Sequence, residues 1–445
     1  MKQHNIRSVR RIRRTISHTI VKLGQISKAK RIGAVVVLTL SLSACDNLLE
    51  VEIPGRLPAD AISDPALIEI LASSVQADFE CAYSNFSAFI GLYADEWMSA
   101  SSFGPGPEAI DKREGVIQEM GGSECSTAIG PSTTGYYAPL HIARLQGETV
   151  FGIISEHSDA DVGPDKASML ATIAAYTGYA LTALGESFCS MAIDEGPLMQ
   201  PPAVLALAET RFTTAITLAT GAGATDIVNW ATLGRARVRL TLNDDANALI
   251  DASSIPAGFV KNVTHASSPG RRVNRHWGSN IDGRYWTLDP AFQGLMVSGV
   301  VDTRLIGIDE GIAGHDGGSP LWTTNKFANA DDPIVLASWE EAQLIMAEIQ
   351  GGQDAVDAIN RLRDAAPGGP LPNFASVVAA DIRAEWLEER RRVLFGQGSR
   401  LADIIRYPEF DLPTGARPYK PVSNYSDTFV CLPLPFAEFD GNPNL

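Results

Sequence analysis

Aromatic rings interleaved with hydrogen-bonding side chains are the part of this sequence best suited to chemistry. Arg275, His276, Trp277, Asn280, Asp282, Arg284, Tyr285 and Trp286 stand within twelve positions, and Trp322, Asn325 and Lys326 follow. Ring faces stack on the C–H faces of sugars, while amides, carboxylates and guanidinium groups take the hydroxyls. Trp97, after Asp95 and Glu96, adds a further ring near a helix end. The ligand-binding candidates are therefore Trp97, Trp277, Tyr285, Trp286, Trp322, Asn280 and Arg284. The competing reading is that these rings glue an irregular region together. Trp230, Trp339 and Trp386 fall on helical apolar stripes and are expected in the core.

Catalytic patterns do not stand out. The sequence has no Gly-x-Ser-x-Gly, no His-Glu-x-x-His, no phosphate-binding P-loop and no EF-hand calcium loop. His141, His157, His265, His276 and His315 sit neither beside a nucleophile nor at metal-ligand spacing. No carboxylate pair is distinguished in so acidic a chain. We assign no catalytic residue, no metal and no cofactor, and do not read the chain as an enzyme.

The charge is unevenly placed. Residues 1–44 carry ten Lys or Arg and no Asp or Glu, which leaves 26 basic against 52 acidic side chains and a net charge near −26. Such a body repels nucleic acid and anionic lipid heads. The basic stretch leads into an apolar run at 32–42, too short for a permanent span, as in a secretory signal. It ends Leu42-Ser43-Ala44-Cys45, which resembles the lipobox of bacterial lipoproteins. Lipidation is expected on Cys45, making residues 1–44 a signal peptide and anchoring the chain rather than spanning the membrane. Cys81, Cys125, Cys189 and Cys431 remain. An even number in an exported chain favours two disulfides, with three connectivities open.

Elements must position the rings. Residues 45–60 read as an extended tether, because Pro54-Gly55 and Pro58 forbid a helix. Helical periodicity is expected over about 65–97, 139–156, 165–189, 202–219 and 226–242, with small residues at packing positions. Short turns join the last two as in a tetratricopeptide-like hairpin. Residues 243–332 lose that periodicity and form a loop-rich insertion, with a short strand expected at 297–301. Helices return at 333–350 and 354–365. Residues 384–406 read as a charged helix, a break at Gly396 and Gly398, and a second short helix. Glu388 precedes Arg392 by four, an orientation that supports the first of these. Residues 407–445 form an extended tail. The domain reading is one body, 61–445, with a helical scaffold at 61–242 and 333–406.

Four blocks in register resemble the SusD/RagB family of nutrient-binding outer-membrane lipoproteins. They are Cys45-Asp-Asn-Leu-Leu-Glu-Val-Glu-Ile-Pro-Gly; the hairpin with Ala347-Glu348 and Asn360-Arg361-Leu362-Arg363; Glu389-Arg390, Leu394, Gly398, Arg400, Asp403 and Arg406; and the tail Pro433-Leu434-Pro435, Glu438 and Asn442-Pro443-Asn444-Leu445. Val393 and Gln397 depart from the pattern, standing where the family usually carries glutamates. The resemblance implies a mostly α-helical fold with tetratricopeptide-like hairpins and irregular excursions that carry the ligand site. It also implies a non-enzymatic role. The protein would capture oligosaccharides or peptides at the cell surface for a SusC-like TonB-dependent outer-membrane transporter. The alternative is a periplasmic helical-repeat scaffold binding other proteins. The family fixes no binding residue by motif. In the 384–406 block, Glu389, Arg390, Arg400, Asp403 and Arg406 are expected to join hairpins by ion pairs.

Overall fold

A computed structural model describes residues 61–103, 106–114, 125, 135–410, 418–419, 423–424 and 430–445. The chain divides into units at 1–62 and 63–445. Cys45, the signal peptide and the tether lie outside the described residues, as does much of the tail.

The second unit is built on antiparallel helices. α1 (Ile68–Tyr93) is a single 26-residue helix introduced by Asp64, whose carboxylate accepts the Ala66 N–H. Its rings are buried from Phe79 onward, and Phe89 stacks on Tyr136 with ring centres 4.0 Å apart. Gln146 donates to Ser74 at the other end, so α2 (Ala138–Glu156) runs antiparallel to α1. α3 (Lys166–Ser187), α4 (Pro201–Ala222) and α5 (Thr225–Thr241) follow as tightly joined hairpins. By length and composition α3 is apolar enough to cross a membrane, but most of it is buried in this helical core.

The closeness of these helices has a specific cause. A Cβ on Gly234 would lie 2.5 Å from the Phe212 ring, and one on Gly178 would lie 2.8 Å from the same ring. Two glycines on flanking helices thus admit one phenyl group from α4. Tyr179 then donates to the Trp230 carbonyl at 2.8 Å, joining α3 to α5.

The second half of the scaffold holds α7 (Trp339–Gln350), α8 (Gly352–Asp364), α9 (Ala379–Val393) and α10 (Arg400–Arg406). Trp386 is buried among Leu344, Ile359 and Tyr407 and donates to the Leu344 carbonyl at 2.9 Å. Trp230 and Trp386 are core residues as expected, and Trp339 packs half-buried against the same cluster. Glu388 and Arg392 form the i,i+4 pair at 2.8 Å. Val393, at one departing position, is buried in the cluster, and Gln397 at the other donates to the Val393 carbonyl.

Three expectations change. Residues 334–338 form a strand, β8 (Ile334–Ser338), so Val335 and Leu336 precede the helix that they were expected to open. A further helix, α6 (Asp245–Ser253), occupies the start of the insertion and packs on α5 and α7. Asp251 anchors it by accepting from Arg235 and Arg239. The described tail is not wholly extended, because α11 (Phe436–Gly441) forms there.

The rest of the insertion combines two-stranded pairings with short helical turns, among them Arg275–Trp277 and Gly278–Asp282. β1 (Trp97–Ser99) pairs with β3 (Trp286–Leu288), and β2 (Val260–Val263) pairs with β8. The expected strand at 297–301 is a tight hairpin of β4 (Met296–Val297) and β5 (Val300–Val301), turned at Gly299 with φ +84°. β6 (Gly307–Ala313) and β7 (Pro320–Thr324) make a ribbon. Two disulfides form, Cys81–Cys125 and Cys189–Cys431.

Charges bind the insertion to the scaffold. Glu389, fully buried on α9, accepts from Arg304 of the insertion and from Arg363 of α8. Arg304 also donates to Asp302, which meets Arg392. Arg390 pairs with Asp403 at 2.7 Å, joining α9 to α10, and Arg406 pairs with Glu348 at 3.2 Å. Lys326 donates to the Arg392, Val393 and Phe395 carbonyls, supplying donors where α9 runs out of its own. Asn325 is likewise structural, accepting the Ile306 N–H and donating to the Thr303 carbonyl.

Candidate ligand platform

Three chain segments far apart in sequence are sewn together by backbone hydrogen bonds. The Ala100 N–H donates to the Tyr285 carbonyl at 2.7 Å. The His315 N–H donates to the Arg284 carbonyl at 2.9 Å, and the Asp316 N–H to the Ala100 carbonyl at 2.8 Å. These bonds join the end of β1, the approach to β3 and the turn between β6 and β7. The turn comes this close because residue 314 is glycine. A Cβ there would lie 2.5 Å from the Ala100 Cβ. Asp316 closes the turn by accepting from the Gly318 and Ser319 N–H groups and the Ser319 hydroxyl.

The stitching brings Phe103, Tyr285 and His315 together. Phe103 stacks on His315 with ring centres 4.5 Å apart and planes at 20°. Tyr285 meets His315 edge-on at 5.0 Å and Phe103 at 5.5 Å. Phe103 is 49% exposed, His315 and Arg284 are exposed, and Tyr285 is half-buried. The Ser102 N–H and hydroxyl both fall on His315 Nδ1, at 3.4 and 3.1 Å. With the Ser102 N–H directed at Nδ1, Nε2 is the ring nitrogen left for a ligand. Arg284 adopts φ +54°, a left-handed conformation that is uncommon for a side-chain-bearing residue. The arrangement offers aromatic surface with imidazole and guanidinium donors beside it, which suits a ligand rich in C–H faces and hydroxyls.

The sequence-chosen residues divide. Tyr285 and Arg284 belong to the platform. Trp277 and Trp322 are half-buried, and neither ring meets another aromatic ring among the described residues. Asn280 is buried and donates to the Trp286 and Trp322 carbonyls, both at 3.0 Å, so it fixes β3 against β7. Trp286 is 1% exposed and Trp97 is 0% exposed, so neither presents a face to solvent. Phe103 and His315 were not selected from sequence. A phenylalanine between Ser101-Ser102 and Gly104-Pro105 has no apolar periodicity to bury it, and that isolation was the available sign.

Trp97 belongs to a buried polar chain beneath the platform. Its indole donates to His276 Nδ1 at 3.0 Å, and His276 Nε2 meets the Ser87 hydroxyl at 3.3 Å. Burial holds the His276 imidazole neutral by lowering its pKa to about 3. Arg275 beside it is also buried, and burial lowers its guanidinium pKa to about 10. Next to Trp97, Glu96 accepts the Gly396 N–H at 3.0 Å, while burial raises its carboxyl to about 7. Gly396, at φ +71°, would place a Cβ 2.5 Å from Phe327, so the backbone reaches Glu96 only without a side chain.

Glu96 carries a pH dependence of definite sign. From an ordinary value of 4.5 to about 7, the folded protein keeps a proton that the unfolded chain has released. Stability from this group is therefore present at low pH and lost as pH rises through that window. His141, His265 and His276 are held at about 3, 4 and 3 by burial, and they act oppositely by favouring unfolding as pH falls below 6.5. Glu96→Gln keeps the acceptor for Gly396 but does not ionise. On moving from pH 5 to pH 8, its urea midpoint is expected to change more favourably than that of the parent. An unaltered difference between the two pH values would exclude Glu96 as the source.

No family model and no curated protein matches the sequence. Solved structures do match the fold. A SusD homologue from Bacteroides thetaiotaomicron superimposes with a TM-score of 0.60 at 12% identity, over 88% of this chain and 98% of that one. Surface glycan-binding protein A of the same organism, solved with laminarihexaose, gives 0.56 at 12% identity over 84% and 98%. A SusD-like carbohydrate-binding protein from Bacteroides vulgatus gives 0.54 at 17% identity over 77% and 83%. At these identities the likeness is one of fold.

Proposed function

We propose that this chain, whose fold is SusD-like, is a surface glycan-binding lipoprotein. It captures oligosaccharides on the Phe103–Tyr285–His315 platform and delivers them to a TonB-dependent outer-membrane transporter. The observation that carries the reading is the exposed, backbone-fixed ring cluster with donors at its edge. Its support from outside is a like-folded protein solved with laminarihexaose. Arg284 and His315 Nε2 take ligand hydroxyls, and the half-buried Trp277 and Trp322 are further candidate ring faces for the ligand. Trp97, Trp286 and Asn280 act from below as supports. Lipidation at Cys45 holds the protein at the outer membrane.

The test is calorimetric titration against a panel of neutral oligosaccharides. Tyr285→Ala and Phe103→Ala are each expected to weaken the best binder at least about tenfold, the loss of one well-used stacking face. Near-parental thermal unfolding of both variants is the control. Unchanged affinity in both would move the site elsewhere. Labelling of intact cells with added protease, alongside Cys45→Ser, tests the anchor and the outward orientation.

A further inference from the structure

A cavity of about 560 Å³ opens among α3, α4, α5, α7, α9 and α10 and shares no lining residue with the platform. Leu205, Leu240, Ile345 and Ile405 contribute apolar wall. Ile405 is 44% exposed and so belongs to the rim. Three arginines also line it, and each already has an acidic partner. Arg237 donates twice to Glu341, at 2.6 and 2.7 Å, and Arg390 pairs with Asp403. Arg406 pairs with Glu348 just behind the wall. One carboxylate is left over. Glu186 lines the cavity and accepts a single hydrogen bond, from the Thr241 hydroxyl at 2.8 Å.

We propose that this cavity binds an alkylammonium group, its carbon chain along the apolar wall and its ammonium against Glu186. Such a group is found at the end of a lysine side chain or on a free alkylamine. The charge count favours a cation over an anion, because each lining arginine already pairs with a carboxylate, and only the buried Arg390 Nη1 has no hydrogen-bond partner. The apolar wall favours an aliphatic stem over a compact hydrated ion. Glu186 is half-buried at the cavity wall, and its desolvation there raises its carboxyl to about 7. A carboxylate so placed gains from an arriving cation what solvent does not supply.

The full chain is titrated by calorimetry with a blocked Gly-Gly-Lys-Gly-Gly peptide, with the same peptide carrying norleucine for lysine, and with hexylamine. Lysine peptide or hexylamine is expected to bind at least about tenfold more tightly than the norleucine peptide. Glu186→Gln and Ile405→Trp should each remove that preference. The first deletes the charge and the second fills the rim from an exposed position that folding tolerates. Tighter binding of the peptide assigns the site to a polypeptide lysine; tighter binding of hexylamine assigns it to a free amine. Equal affinity for lysine and norleucine, retention of the preference in Glu186→Gln, or no binding of either amine overturns the proposal. Oligosaccharide affinity in the same variants is expected to stay at the parental value, which keeps this outcome separate from that of the platform.

Discussion

Glu389→Ala is expected to unfold at a much lower urea concentration than the parent chain, with a loss of roughly 3–5 kcal/mol. The carboxylate is fully buried on α9 and receives Arg304 from the insertion and Arg363 from α8. Removing it leaves two guanidinium groups in a dry interior, and an unmatched buried charge costs far more than a paired one contributes. Arg304 keeps Asp302 and Arg363 keeps Glu385, which places the loss within that range rather than above it. Glu388→Ala on the same helix is the control. Its carboxylate is 38% exposed and joins Arg391 and Arg392 near the surface, so about 1 kcal/mol or less is expected. Similar urea midpoints for the two variants would mean that the buried network contributes no more than the surface pair.

Cutting the Cys189–Cys431 bridge is expected to have the next largest effect. The bridge closes a loop of 242 residues and joins the end of α3 to the tail before α11. In the chain-entropy account a loop of that size restrains the unfolded chain by about 5.5 kcal/mol, and measured bridges more often give about 2–4. Backbone bonds on either side accompany the link. The Cys189 N–H donates to the Leu432 carbonyl and the Leu432 N–H to the Ser187 carbonyl. A Cys189→Ser, Cys431→Ser double variant should therefore lose thermal stability and expose residues 430–445 to proteolysis. The Cys81–Cys125 bridge spans 44 residues, and the same account gives it about 4 kcal/mol. Thermal unfolding of each double variant compares the two, and a bridge whose loss leaves the midpoint unmoved has no such role.

The helical half of the fold was readable because its signals are local. The apolar spacing, the Glu388–Arg392 step and the glycine break after α9 each act within one or two turns. The family blocks likewise marked scaffold residues. Glu389, Arg390, Asp403 and Arg406 make the hairpin-joining pairs expected of them, while Arg400 lies over the Phe410 ring. The cysteine count suggested two bridges, but pairing depends on where α1 and the tail end in space. The insertion was harder for the same reason. Trp97 and Trp286 look like binding rings in a polar neighbourhood, yet their strands pair with each other and both rings are buried. Nothing local to residue 103 or 315 announces the other, since a pairing across more than 200 residues made them neighbours. Asn280 resembled a sugar-binding amide, and its amide is occupied by two main-chain carbonyls.

The backbone stitching at Ala100, Arg284, His315 and Asp316 bears on how such a protein diversifies. None of those bonds involves a side chain, so the framework that sets the ring positions does not depend on which rings occupy them. Under the proposed function, substitutions at 103, 285 and 315 exchange one set of ligand contacts for another while the main-chain junction stays intact. The constraint falls on Gly314 instead, where any side chain would push the turn off Ala100. Under the proposed function the platform behaves as a socket with interchangeable fittings, held by main-chain bonds that a change of ring leaves intact.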